Sequence, residues 1–148
     1  MEKDGAAAAT VKVSVDKHAT RLANISVGDS MLRIDESVGQ AKSPDPYDYI
    51  LSALGACTAI TVQLYAQRKG WPLERVEVAL QHGRVHPDDC ENCKDADAKL
   101  YQVTKQVQFI GELSDEQRGR LLDISSRCPV QKTLEAGIAI KSILAEQV

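Results

Sequence analysis

The stretch "DPYDYILSALGACTAITVQLYAQRKG" limits what this chain can build. Ile50, Leu54, Cys57, Thr61 and Leu64 recur with the 3.6-residue period of one helix face. Ala53, Gly55, Ala56 and Ala59 keep much of the remaining circumference small, so other elements can approach closely. Gly70, just after Arg68 and Lys69, supplies a C-terminal stop. The pattern predicts a long central helix over 47–69. Its apolar part, around Ile50 to Leu64, is broken by Ser52, Thr58, Thr61 and Gln63. That run is too short and too polar to be expected across a bilayer.

Strands dominate the rest of the chain. "TVKVSV" alternates Val11, Val13 and Val15 on one face, and "LANISV" and "SMLRID" flank the turn signal Gly28-Asp29 as a hairpin would. "VGQAKSPDP" is a loop by its glycine and prolines. Beyond the helix, "RVEVALQHGRV" and "YQVTKQVQF" alternate as strands, the second through Tyr101, Val103, Val107 and Phe109. "LSDEQRGRLLDISSR" opens with Ser114 and Gln117, spaced as a capping box. Pro129 cannot continue that helix but suits the first position of another, "PVQKTLEAG", ended by Gly137. "IAIKSIL" reads as a closing strand. Three strands, a long helix, two strands, two helices and a strand, mostly joined as hairpins, argue for the α+β class.

The length of 148 residues fits one domain spanning 1–148, with residues 1–9 expected to be a frayed tail. That tail lacks the charged-then-apolar pattern of a signal sequence. A net charge of −3 without a basic run argues against nucleic acid. The expected compartment is the cytoplasm, with no membrane partner. Cysteines there stay mostly reduced, so four of them do not imply a disulfide framework.

Cys128, directly before Pro129, would be the N-cap of the second short helix. Free N–H groups and the helix dipole favour an anion there, as a reactive thiolate requires. The alternative is a small buried residue, a common fate of free cysteine. Cys57 lies on an apolar helix face, where burial disfavours ionisation. It is either packing or a nucleophile served by a cation from another element.

"DPYDYILSALGACTAITVQLYAQRKGWPLERVEV" followed by "LLDISSRCPVQKTL" resembles the OsmC/Ohr family of thiol-dependent hydroperoxide reductases, in its OsmC-like branch. The resemblance runs from about Thr10 to Leu144, carried by "ALGACTA" and "CPV-x-x-T" in combination. It implies an OsmC-like fold, with antiparallel sheets around a long central helix in an intertwined homodimer. Cys57 would be the peroxidatic cysteine, oxidised to a sulfenic acid by an organic hydroperoxide. Cys128 would resolve it to a disulfide that an external thiol or dithiol reduces, with no cofactor. The family also uses an arginine from the N-terminal strands, for which Arg21 is the first candidate and Arg33 the second. Its glutamate after the helix-starting proline is not matched: Tyr47 follows Pro46, and the nearest carboxylate is Asp48. The second function class is therefore a binding or structural homodimer of the same fold with little peroxidase activity, whose His82–Cys93 loop would hold zinc.

"QHGRVHPDDCENC" holds His82, His86, Cys90 and Cys93, residue types that suit zinc. His82 and His86, if both in a strand, would stand about 13 Å apart, too far to share an ion. A set of His86, Cys90 and Cys93 with Asp88 or Asp89 is easier to assemble. A plain acidic loop or a reversibly oxidised C-x-x-C are the other readings, and no metal enters the expected function.

Overall fold

A computed structural model describes residues 10–37, 44–83 and 102–146. The order is β1 (Val11–Ser14), β2 (Leu22–Val27), β3 (Ser30–Asp35), α1 (Pro46–Lys69), β4 (Leu73–Gly83), β5 (Gln102–Gly111), α2 (Asp115–Ser125) and α3 (Pro129–Ala136). This is the α+β arrangement, with antiparallel sheets and one long helix. The chain divides into two compact units, Met1–Ile50 and Leu51–Val148.

The first unit is a three-stranded antiparallel sheet in the order β1-β2-β3. Val27 pairs with Ser30 across the Gly28-Asp29 turn, and Gly28 has a φ of 57°. A positive φ at the first central position is what a tight hairpin turn asks of glycine. The first turn of α1 belongs to this unit, and the Tyr49 hydroxyl donates to the Arg33 carbonyl at 3.0 Å.

In the second unit β4 and β5 pair antiparallel, with Val76 opposite Phe109 and Leu80 opposite Lys105. A two-stranded ribbon is marginal by itself and needs a covering apolar surface. Val62 and Ala66 from α1, Phe109 from β5, and Leu121 and Ile124 from α2 form that core. Leu80 of β4 approaches α1 at Gly55 so closely that an added Cβ there would lie 2.8 Å from Leu80 Cδ1. Gly70 turns the chain out of α1 with φ 68°, and Trp71 packs edge-on against Tyr65 with ring centroids 5.6 Å apart.

Several expectations hold in detail. Ser114 and Gln117 close the capping box of α2 through both hydrogen bonds, at 2.9 and 3.1 Å. α3 begins at Pro129, and Gly137 caps it with φ 86°.

Three expectations need correction. The buried face of α1 is Leu51, Leu54, Gly55, Thr58, Val62 and Ala66, whereas Ile50 and Leu64 are exposed. The helix is apolar nearly all round, so periodicity alone does not choose a face. Its 24 residues are also long and apolar enough to cross a membrane, by length and composition alone. Here its Val62 and Ala66 pack into the protein core instead. Finally, the stretch from Ile138 to Leu144 is not a strand: no strand pairs with it among the described residues, and Ile140 and Leu144 are 87% and 92% exposed. A strand exists through its ladder partner, which sequence alternation cannot provide.

Leu121 is fully buried whereas Leu122 is 55% exposed. Leu121→Ala should lower unfolding stability by about 3 kcal/mol. Leu122→Ala should change it by no more than about 0.5 kcal/mol. Urea unfolding of the two variants checks which way α2 faces.

Candidate active site

The break between α2 and α3 sets the position of Cys128. Ser126 and Arg127 close α2 with bonds to the Asp123 and Ile124 carbonyls, at 3.2 and 2.9 Å. Pro129 then starts α3, leaving Cys128 as an extended N-cap with φ −66° and ψ 142°. Its sulfur accepts from the Gln131 backbone N–H at 3.4 Å, filling the place a serine or aspartate oxygen takes at most N-caps. Cys128 is fully buried. Cys128 is thus both buried and held at a helix N-terminus.

A second contact reaches the same sulfur from α1. Thr58 Oγ1 lies 3.5 Å from Cys128 Sγ and is itself fully buried. Thr58 directly follows Cys57, so the two thiol-bearing segments meet at this hydroxyl. Both Cys57 and Cys128 are free thiols, the first partly exposed and the second buried.

Lys105 of β5 completes the cluster. Its ammonium donates to Thr58 Oγ1 at 3.0 Å, to the Ser125 carbonyl at 2.7 Å and to Gln131 Oε1 at 2.6 Å. Burial pushes the Lys105 pKa below that of an ordinary lysine, against the opposing pull of Cys128, Glu135 and Cys57. Sequence reading passed over Lys105. A signal was present, because it occupies the middle of the apolar face formed by Val103, Val107 and Phe109 of β5. A charge at such a position needs partners, and these partners converge on a cysteine.

Thr61, Leu64, Gln67, Arg68, Arg127 and Pro129 line a groove. Thr61 and Leu64 follow Cys57 by four and seven residues, along the same side of α1. Arg127 and Pro129 flank Cys128. Nearby, the Tyr65 hydroxyl accepts from Arg120 Nε at 3.0 Å, and that bond lowers the Tyr65 pKa.

The remaining site candidates lie in the first unit. Arg21 is exposed, and its carbonyl accepts from the Glu36 N–H at 2.9 Å. Arg33 Nε donates to Asn24 Oδ1 at 3.4 Å. Asp48 closes a capping box at the start of α1. Its Oδ2 accepts from the Asp45 N–H at 2.9 Å, and its own N–H donates to Asp45 Oδ1 at 2.8 Å. His82 is on β4, opposite Val103. His86, Asp88, Asp89, Cys90 and Cys93 lie outside the described residues. Among the described residues no group of three or more His, Cys, Asp or Glu side chains could hold a metal ion.

A model of the OsmC-like protein family matches residues 39–142, more than half of the chain. The chain belongs to the OsmC-like family. Solved structures agree on the fold. An OsmC-like protein from Mycoplasma pneumoniae superposes with a TM-score of 0.69 at 19% identity, covering 86% of each chain. A putative osmotic stress induced and detoxification response protein from Psychrobacter arcticus gives 0.64 at 16% identity, over 89% of this chain and 90% of that one. An organic hydroperoxide resistance protein, OsmC, from Legionella pneumophila gives 0.58 at 16%, over 84% and 86%. No curated protein sequence matches the chain.

The capping role of Asp48 is testable apart from any chemistry. Asp48→Ala should lower stability by about 1 kcal/mol through loss of the reciprocal cap. Denaturant unfolding beside Asp48→Asn, which keeps an acceptor, measures it. A loss in Asp48→Asn equal to that in Asp48→Ala would contradict the role.

Proposed function

We propose that this OsmC-like chain is a thiol-dependent peroxidase that reduces organic hydroperoxides with Cys57 and Cys128. The observation that carries the reading is the contact of Thr58, the neighbour of Cys57, with the Cys128 sulfur at 3.5 Å. Cys57 is the partly exposed thiol and Cys128 the buried one. That asymmetry suits an attacking cysteine that meets substrate and a resolving cysteine that does not. The name of the Legionella pneumophila neighbour points the same way.

In the proposed cycle the Cys57 thiolate attacks the distal oxygen of the hydroperoxide. The O–O bond breaks, the alcohol leaves after taking a proton, and Cys57 becomes a sulfenic acid. Cys128 attacks the Cys57 sulfur, a disulfide forms and water leaves. An external thiol or dithiol returns both cysteines to thiols and is itself oxidised to a disulfide. No metal or organic cofactor takes part. The groove along Thr61, Leu64 and Pro129 would take the organic part of the substrate. Arg21 is the proposed cation beside the peroxide, with Arg33 the alternative and Asp48 its carboxylate partner.

The protein is proposed to work in the cytoplasm as an intertwined homodimer. The support is the C-terminal stretch, where Ile138, Ile140, Ile143 and Leu144 are all exposed. A second copy would cover them. Ile140→Asp should then shift the sedimentation coefficient toward that of a monomer, and an unchanged value would remove this support.

The second reading, a binding or structural homodimer, draws on one observation: Asp48 is already engaged in a helix cap. Peroxide consumption decides between the two. With an organic hydroperoxide and a dithiol, the wild-type protein should turn over. Cys57→Ser should lose all detectable activity, and Cys128→Ser should accumulate a sulfenic acid on Cys57 that a dione probe labels. A wild-type protein that consumes no peroxide, or cysteine variants that match it, would favour the second reading.

A further inference from the structure

Among the described residues two groups hydrogen-bond the Cys128 sulfur, the Thr58 hydroxyl and the Gln131 backbone N–H, and Lys105 holds both of those residues. An ammonium has three N–H groups and no acceptor. All three are accounted for, by Thr58 Oγ1, the Ser125 carbonyl and Gln131 Oε1. Thr58 therefore accepts from Lys105, which polarises its hydroxyl and makes its proton a better donor. When Cys128 is a thiolate, sulfur has no proton to give, and the hydrogen bond at 3.5 Å can only run from Thr58 to sulfur.

We infer that Lys105 is a positioning residue for the resolving thiol. It holds the Thr58 hydroxyl and Gln131 so that both donate to the Cys128 sulfur at the moment that sulfur attacks. The inference rests on reading Cys128 as the resolving cysteine, and it adds a residue that reading does not require. Lys105 acts through Thr58 and Gln131 rather than on substrate. It is anchored to α1, to the end of α2 and to α3 at once, so it also sets where the N-terminus of α3 sits relative to Thr58. The titratable groups that act on it are Cys128, Glu135 and Cys57. Two of these are the thiols of the pair, and Glu135 comes from α3.

The closure step can be observed without any peroxide. In the full chain carrying Cys90→Ser and Cys93→Ser, dithiobis-nitrobenzoate forms a mixed disulfide on Cys57 and releases one thionitrobenzoate. Cys128 then attacks the Cys57 sulfur. The mixed disulfide breaks, the Cys57–Cys128 bond forms, a second thionitrobenzoate leaves as its thiolate and the Cys128 proton goes to solvent. Stopped-flow absorbance reads this second release across a range of pH, with thermal unfolding of each variant measured alongside. Lys105→Met and Thr58→Val are expected to slow it about tenfold near neutral pH, through loss of a hydrogen bond to the attacking sulfur. Both should catch up with the parent in alkaline solution, and Thr58→Ser, which keeps the hydroxyl, should restore the rate lost in Thr58→Val.

A rate in Thr58→Val equal to the parent's at every pH would overturn the inference. So would a slowing that is the same at every pH, because that is what loosened packing produces. If the parent shows no second release, the pair and the inference fall together. If the parent closes normally but consumes no hydroperoxide, the peroxidase reading fails and this assignment stands.

Discussion

A half-buried ammonium on the apolar face of a strand needs acceptors, and Lys105 draws them from three helices. Its acceptors come from the middle of α1, the last turn of α2 and the first turn of α3. Without them the desolvated charge would be costly. With them, three elements from distant parts of the sequence are tied to one point of β5. The fully buried Cys128 lies at that point, and its sulfur is satisfied by the same residues that satisfy the lysine.

The core and the cluster share the same faces. Thr58, Val62 and Ala66 follow one another by single turns on the buried side of α1. Lys105, Val107 and Phe109 follow one another on the inner side of β5. Packing that buries Val62, Ala66 and Phe109 therefore also brings Thr58 to Lys105. The β4–β5 register matters for the same reason. A slip of one residue would send Lys105 to the outer face, replacing it with an exposed neighbour. Stability and site geometry are set together here.

Much of this was legible in the chain. The hairpin turn at Gly28, the Ser114–Gln117 capping box and the Cys128-Pro129 helix start are local chemistries, decided within a few residues by backbone sterics and capping. They appear where sequence reading places them. The face of α1 was misread for a physical reason. A helix apolar on nearly every side has no preferred direction until a partner surface chooses one. Lys105 was missed although it interrupts the Val103–Phe109 alternation, because a lone charge in a strand says that a partner is needed without saying which.

By itself, then, the sequence determined the elements from β1 to α3: their order, most of their boundaries, and a cysteine at the start of α3. These depend on interactions between near neighbours. Tertiary structure alone decided which side of α1 is buried, that the Thr58 hydroxyl reaches the Cys128 sulfur, and that Lys105 binds the two segments together. It also left Ile138–Leu144 without a ladder partner among the described residues. Such facts depend on contacts between residues dozens of positions apart, and those contacts exist only once the β4–β5 ribbon has packed against the helices.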